Sequence, residues 1–421
     1  MNILTKLNLN TDGKIIFKNF SYLWLLRIFN ILSQYILVSF LVRSLGSEKY
    51  GIFVWSYSII QYLVIVVNFG FNTFAAKYVP ENSNNPDNIN KIFTTIIGFK
   101  LLLYFITTIL FIILSLTIEV FADNSALLLI LLGIGFGEAI FPIWFFQGKE
   151  KLEIPTKIVF LFRLILVILT LLFISSENHL LRYAYFLTGV NILIGITGLF
   201  FALNKLNIRF VKVKLYYFYK IINEAFIFFI GAIFGKTFNF VAIFLIGLYF
   251  TMEEVASFDI AFKIIAAIQL PFETLSVALF PTIARTKNIK LNEKIIFGSF
   301  IISLLLWGLT YWQSDFLISL LGGKELLYYS YLLKKLSVLI PVVVLTYFLG
   351  TNTLVAFGYQ KQFNLSFIIP SIIYLLTTLI FWKLDLLTFE VIVLLRIMVD
   401  VLMVIYRLII AIKYKLIFSS R

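Results

Sequence analysis

Long apolar stretches recur along the whole chain, each close to the ~20 residues that a helix needs to cross hydrocarbon. Twelve can be marked out. The first six are Asn19–Val42, Gly51–Ala75, Ile92–Ile118, Ala126–Phe146, Ile154–Phe173 and Tyr183–Leu203. The second six are Glu224–Phe250, Phe258–Pro281, Ile295–Tyr311, Leu336–Phe357, Phe363–Trp382 and Phe389–Ile412. In lipid a spanning segment must pair its own backbone N–H and C=O groups, so these stretches predict an all-α polytopic membrane protein. Composition agrees: 13% of the residues are charged, against about 25% in a soluble chain.

Basic residues alternate with the apolar stretches. Of 35 Lys and Arg, 21 fall in the two tails and the even-numbered loops (Lys157, at the mouth of the fifth span, counted with the fourth loop), seven in the odd-numbered loops and seven inside spans. The positive-inside rule then places both termini in the cytoplasm. The net charge of +14 does not point to nucleic acid, because the bases punctuate spans instead of forming one patch. The chain has no cysteine and a single histidine, His179. Disulfides and thiolate metal sites are excluded and a histidine-based metal centre is not expected. Lys6, Lys14 and Lys18 precede a first span too long for the apolar core of a cleavable signal. No nucleotide-binding P-loop is present, so this chain is not expected to hydrolyse ATP.

The basic sixth loop divides the chain into two halves that share short motifs. Ser47-Glu48-Lys49-Tyr50-Gly51-Ile52-Phe53 pairs with Met252-Glu253-Glu254-Val255-Ala256-Ser257-Phe258, offset by 205 residues. Phe146-Gln147-Gly148-Lys149-Glu150-Lys151 pairs with Ala356-Phe357-Gly358-Tyr359-Gln360-Lys361, offset by 210. The pairing predicts an N-lobe of six helices over residues 1–203, a basic cytoplasmic linker over 204–223 and a C-lobe of six helices over 224–421, around a central cavity.

Charges stranded inside the spans are the candidate functional residues, because a base at a helix centre costs about 2.5–3.5 kcal/mol on insertion scales. At ~1.5 Å per residue, Arg27 lies roughly 13 Å past Lys18, Lys236 roughly 18 Å past Glu224 and Lys263 roughly 13 Å from Glu254. These three are expected to line a water-filled cavity that receives an anion. Lys100, Arg163 and Arg407 lie nearer cytoplasmic ends, where long side chains snorkel, with Arg163 the exception to watch. Asp259 and Lys263 share a helix face four residues apart, as do Arg396 and Asp400. The second pair reads as a structural pin. The first reads as either a pin or a pair that opens during transport.

A carboxyl group removed from water favours its protonated form. Glu138, Glu273 and Asp259 are therefore candidates for proton or sodium coupling. Gln34, Gln61, Asn68 and Asn72 could bond sugar hydroxyls or simply a neighbouring helix. Trp144-Phe145-Phe146 fits an interfacial aromatic belt.

Two stretches carry a family resemblance. Gly51-Ile52-Phe53 through Ile59-Ile60-Gln61-Tyr62, continued by Asn68-Phe69-Gly70-Phe71-Asn72, resembles the second-span signature of bacterial O-antigen and polysaccharide-unit flippases. Pro142-Ile143-Trp144-Phe145-Phe146-Gln147-Gly148-Lys149-Glu150-Lys151 resembles that family's fourth-span signature. The family belongs to the multidrug/oligosaccharidyl-lipid/polysaccharide exporter superfamily.

The resemblance implies a V-shaped pair of six-helix bundles in the bacterial inner membrane, working by alternating access. It implies as cargo a short glycan on undecaprenyl pyrophosphate, moved from the cytoplasmic to the periplasmic leaflet. It also implies, as partners, membrane lipids and the polysaccharide polymerase and chain-length machinery. Arg27, Arg163, Lys236 and Lys263 would then receive the pyrophosphate. Two other readings are a cation-coupled multidrug antiporter of the same superfamily and a membrane enzyme of polysaccharide assembly. The first calls for deep acids in excess of deep bases. The second calls for a large outward loop, and the outward loops here are short.

Overall fold

The fold is that of a computed structural model describing residues 11–82 and 85–418, with side chains described outside 11–32, 76–77, 231–232, 235–237 and 239. All its regular elements are helical. In chain order they are α1 (Thr11–Asn68), α2 (Phe71–Glu81), α3 (Pro86–Thr117), α4 (Glu119–Ala122), α5 (Ser125–Ile140), α6 (Ile143–Gly148), α7 (Glu153–Phe173) and α8 (Leu180–Lys205). There follow α9 (Leu215–Tyr249), α10 (Met252–Thr286), α11 (Ile289–Trp312), α12 (Ser314–Gly322), α13 (Ser330–Leu336) and α14 (Leu339–Tyr347). A π-helical segment (Phe348–Val355), α15 (Gln360–Lys383) and α16 (Phe389–Lys413) complete the chain. Among the described residues, eight helices are long and apolar enough to cross a membrane, or nine if the pair bent by 41° across Leu327–Val355 is one span. The protein is thus a multi-pass helical membrane protein.

The chain forms two compact units. One comprises Met1–Leu45 and Ser56–Ile233, the other Gly46–Trp55 and Phe234–Arg421. The switch occurs at Gly46, where φ of 80° and ψ of 162° break α1, a conformation open essentially to glycine alone. In the first unit, α1 ends at Phe69 and Gly70, both with positive φ. A Cβ at Gly70 would lie 2.6 Å from the backbone of Phe228 and Phe229, so α9 approaches this turn as only glycine permits.

Each unit also contains a membrane helix interrupted away from Gly46. Pro142 ends α5: it has no N–H to offer the Glu138 carbonyl four residues back. It also pushes Phe141 into the extended region, at φ −75° and ψ 110°. The orphaned carbonyl finds a donor on another helix, for Lys100 Nζ of α3 lies 2.5 Å from the Glu138 oxygen. The expectation that Lys100 snorkels is therefore wrong; it is 1% exposed.

In the second unit the α14 ladder changes register. Ala356 and Tyr359 donate five residues back, to Thr351 and Leu354, the π pattern. Such a change leaves carbonyls without their α-helical partners. Thr346's carbonyl accepts from Arg407 Nη1, and Tyr347's from the Thr351 hydroxyl at 2.8 Å and the Ser276 hydroxyl at 3.3 Å. Arg407, 2% exposed, also donates from Nε to Ser366 Oγ at 2.8 Å. It does not snorkel either: Nη1 meets backbone, Nε meets a hydroxyl, and the guanidinium lies over the Phe363 and Phe367 rings, 5.0 and 4.8 Å from their centroids.

The aromatic run differs from expectation too. Trp144, Phe145 and Phe146 are each 0% exposed. They belong to a core with Phe71, Phe74 and Phe93, since the break at Pro142 turns α6 inward.

The cap at Glu138 makes a specific prediction. Replacing Lys100 by Met should lower stability by about 1–3 kcal/mol, the cost of a buried acceptor left unpaired. Pro142→Ala restores a backbone N–H and the option of a continuous helix, so it should offset much of that loss. Reversible unfolding in mixed detergent would give the double-mutant coupling, expected to be about 1 kcal/mol or more. Strict additivity would show that Lys100 has another role.

Candidate functional site

The first unit gathers polar groups around the α5 break. The Glu138 carboxylate, half-buried, accepts a long hydrogen bond from Asn68 Nδ2 at 3.5 Å, while its backbone oxygen takes Lys100. One short stretch of α5 thus meets a base from α3 and a carboxamide from the end of α1. Sequence reasoning singled out Glu138 and Asn68 separately. It assigned Lys100 to snorkelling, although Pro142 four residues after Glu138 was the signal that this carbonyl needs a donor. Arg163 on α7 is half-buried and acts electrostatically on the buried Tyr183, as does Tyr57. Gln61 is half-buried, whereas Gln34 and Asn72 are exposed. The Arg27 side chain lies outside the described residues.

Next to this site, the hydrophilic end of the fourth-span motif is electrostatically loaded. Burial, and then the neighbouring Lys151 ammonium, hold the Lys149 amine below its ordinary value. Nearby on α2, a hydrogen bond to Glu224, with burial second, pushes the Tyr78 phenol up to about 12.

The second unit carries a three-membered charge cluster. Asp259 and Lys263 form an ion pair on one face of α10, one turn apart. Tyr50, 1% exposed, completes it: its hydroxyl donates to Asp259 Oδ2 at 2.6 Å and accepts from Lys263 Nζ at 3.0 Å. The two motif segments paired at an offset of 205 residues therefore meet physically. Gly51 lies so close to α10 that a Cβ there would collide with the Met252 carbonyl. Trp55 Nε1 donates to the Phe244 carbonyl at 3.1 Å, fastening the same segment to α9. Tyr50 was not among the residues singled out, because its partners lie more than 200 positions away.

Arg396 and Asp400 form a second ion pair, both buried. The guanidinium sits over the rings of Phe238 and Phe262, 4.8 and 4.9 Å from their centroids, so aromatic faces supply the rest of its shell. Glu273 is half-buried on α10, two residues after Pro271. α10 continues through both Pro271 and Pro281. The Lys236 side chain lies outside the described residues.

Sequence reasoning also missed the polar cluster behind the π segment. Ser276 Oγ lies 2.7 Å from Asn352 Oδ1 and 2.9 Å from Thr351 Oγ1, and Asn292 Nδ2 donates to Thr353 Oγ1 at 2.9 Å. Among the described residues no group of three or more acidic, His or Cys side chains is placed to hold a metal ion. The structure thus joins Glu138 with Asn68, Asp259 with Lys263, and Arg396 with Asp400. Arg163 and Lys263 belong to different units.

Comparison with known proteins now bears on this arrangement. The profile of the family described as "Polysaccharide biosynthesis protein" matches residues 16–287. An Escherichia coli (strain K12) protein named "Putative O-antigen transporter" is 24% identical over 368 residues, covering 85% of this chain and 87% of the relative. A Shigella dysenteriae protein of the same name is 23% identical, covering 85% and 91%. Among solved structures, the lipid II flippase MurJ in an inward closed conformation superposes with a TM-score of 0.75 at 15% identity, covering 94% of this chain and 87% of that one. An inward-facing multidrug resistance MATE family transporter reaches 0.62 at 14% identity, covering 92% of each. The fold is accordingly the one these transporters share. The profile match over more than half of the sequence means that the chain belongs to the polysaccharide biosynthesis protein family, in the polysaccharide transporter branch of the multidrug/oligosaccharidyl-lipid/polysaccharide exporter superfamily.

Proposed function

We propose that this protein is a flippase. Its cargo is an oligosaccharide on undecaprenyl pyrophosphate, an O-antigen or other surface-polysaccharide repeat unit. It moves that cargo from the cytoplasmic to the periplasmic leaflet of the bacterial inner membrane by alternating access. The observation that carries the reading is the excess of deep bases over deep acids in membrane helices of this fold. Cationic drugs would call for the opposite balance. A pyrophosphate carries about two negative charges, each attracted by several kcal/mol to a cation ~4 Å away at an effective dielectric near 20. Relatives named as O-antigen transporters over 85% of the chain, and the likeness to a lipid II flippase, support the same cargo class. No covalent bond changes, so the protein is a transporter and not an enzyme.

The charge alternation along the sequence supports twelve spans with both termini cytoplasmic, in lobes over residues 1–203 and 224–421 joined by 204–223. In this reading Arg27, Arg163, Lys236 and Lys263 receive the pyrophosphate, and Gln34, Gln61, Asn68 and Asn72 meet sugar hydroxyls. The prenyl tail stays in lipid. The polysaccharide polymerase and chain-length machinery take up the delivered unit.

The Tyr50–Asp259–Lys263 cluster supports a coupling scheme. While Asp259 is ionised it holds the Lys263 ammonium. Protonating Asp259 removes that hold and frees the ammonium for phosphate; departure of the cargo restores the pair. Glu138 and Glu273 are the further coupling candidates, and sodium is the alternative ion.

Deleting the gene should trap lipid-linked repeat units on the cytoplasmic leaflet, read by their inaccessibility to a glycan label applied to spheroplasts. Normal surface glycan in the deletant, with no functional substitute present, would sink the reading. Arg27→Ala and Lys236→Ala should each lower glycan export about tenfold or more at constant protein level, since one charged hydrogen bond is worth about 1.5–3 kcal/mol.

Asp259→Asn should make residual transport insensitive to collapse of the proton gradient, whereas Tyr50→Phe should keep the sensitivity at a lower rate. A proton response unchanged in Asp259→Asn would exclude Asp259 as the carrier. Glu138→Gln and Glu273→Gln test the other two carboxyls by the same measurement, and replacing sodium by choline separates the ions.

A further inference from the structure

The segment joining α8 to α9 has features that flipping a glycan does not require. After Lys205 the chain turns at Asn207, with φ of 53°, and runs without regular structure to Lys214. It is fastened along α3. The Arg209 N–H donates to Asn90 Oδ1 at 3.0 Å, and the Val211 N–H donates to Thr94 Oγ1 at 3.1 Å. Ile208 is buried in the aromatic core of the unit. Held in this way, the segment cannot lift away from the ends of the membrane helices. It begins directly after Lys205, where a helix long and apolar enough to cross a membrane ends.

Two kinds of exposed side chain occur here. Lys205, Arg209, Lys212, Lys214 and Lys220 are all exposed, and no acid occurs between Lys205 and Glu224, whose carboxylate bonds Tyr78. Interleaved with them are Phe210, Leu215, Tyr216 and Tyr219, exposed by 51%, 67%, 81% and 64%. Large apolar groups exposed between bases are unfavourable in water and suit the headgroup level of a bilayer. A cavity of about 440 Å³ opens in the same place, lined by Leu203, Asn204, Asn207, Ile208, Arg209 and Phe210. Its lining residues carry one guanidinium, two carboxamides and three apolar side chains; Asn204 Nδ2 also donates to the Phe200 carbonyl at 3.1 Å.

We propose that this cavity and the basic segment around it hold the headgroup of an anionic phospholipid. The phosphate sits on Arg209 with Asn204 and Asn207, and the acyl chains run along Leu203 and Phe210. Lys212, Lys214 and Lys220 hold neighbouring anionic headgroups. A free phosphate or nucleotide would satisfy the guanidinium but leave the exposed aromatic and leucine side chains in water. A lipid satisfies both. The proposal does not depend on what the protein transports.

The test uses the full-length protein in nanodiscs of phosphatidylcholine and phosphatidylglycerol mixed three to one, with retained lipid read by native mass spectrometry. Wild type should retain phosphatidylglycerol over phosphatidylcholine by about tenfold. Arg209→Gln should lower that preference several-fold, and Arg209→Lys should restore part of it. Phe210→Ala should lower retention of either lipid. Lys290→Gln with Lys294→Gln, which removes charge from another loop, should change nothing.

Unchanged preference in Arg209→Gln would overturn the site. An equal loss in the Lys290 and Lys294 control would show nonspecific charge attraction only. Displacement of the lipid by millimolar inorganic phosphate would show a soluble-anion site instead. Because the readout is bound lipid, failure here leaves the flippase reading intact, and loss of glycan transport elsewhere leaves this site intact.

Discussion

Inside a membrane a backbone carbonyl that loses its helical partner has no water to turn to, and this constraint organises both units. Pro142 removes the donor for Glu138, and Lys100 crosses from α3 to replace it. The π register after Tyr347 releases further carbonyls, and Arg407, Thr351 and Ser276 take them up. Beyond the segment's end, Lys287 donates to the Ala356 carbonyl. An unpaired carbonyl and a buried cation are each costly alone. Brought together, each removes much of the other's cost. Discontinuous helices with freed backbone groups are tolerated where protein, not lipid, surrounds them, and these caps satisfy that condition from neighbouring helices.

The same constraint changes how the intramembrane bases are apportioned. Lys100 and Arg407 serve backbone. Arg396 is matched by Asp400 and flanked by two phenylalanine rings. Lys263 is shared between Asp259 and Tyr50. Of these, only the last cluster lies partly open, with 18% and 14% of the Lys263 and Asp259 side chains exposed against 5% and 7% for Arg396 and Asp400. A pair that water or protons can reach is suited to switching. A pair sealed between aromatic faces is suited to holding α16 in place.

Tyr50 gives the cluster its geometry. Its hydroxyl donates to the carboxylate and accepts from the ammonium, so it keeps the two charges in register. The segment that presents it belongs with the second unit although its neighbours in sequence belong with the first. Gly46 makes that assignment possible by breaking α1, and Gly51 makes it close by leaving room for the Met252 carbonyl.

The apolar stretches by themselves determined that this is a multi-pass helical protein, because length and hydropathy decide what lipid accepts. The Asp259/Lys263 and Arg396/Asp400 spacings were legible too, since each acts within one helical turn. What only the tertiary structure decided is where each buried charge is spent. Lys100 meets a carbonyl 38 residues away, Arg407 one 61 away and Tyr50 a carboxylate 209 away. Periodicity says which face of a helix a side chain occupies. It does not say which other helix faces it, and inside a membrane that facing partner determines whether a base binds cargo or simply closes the backbone.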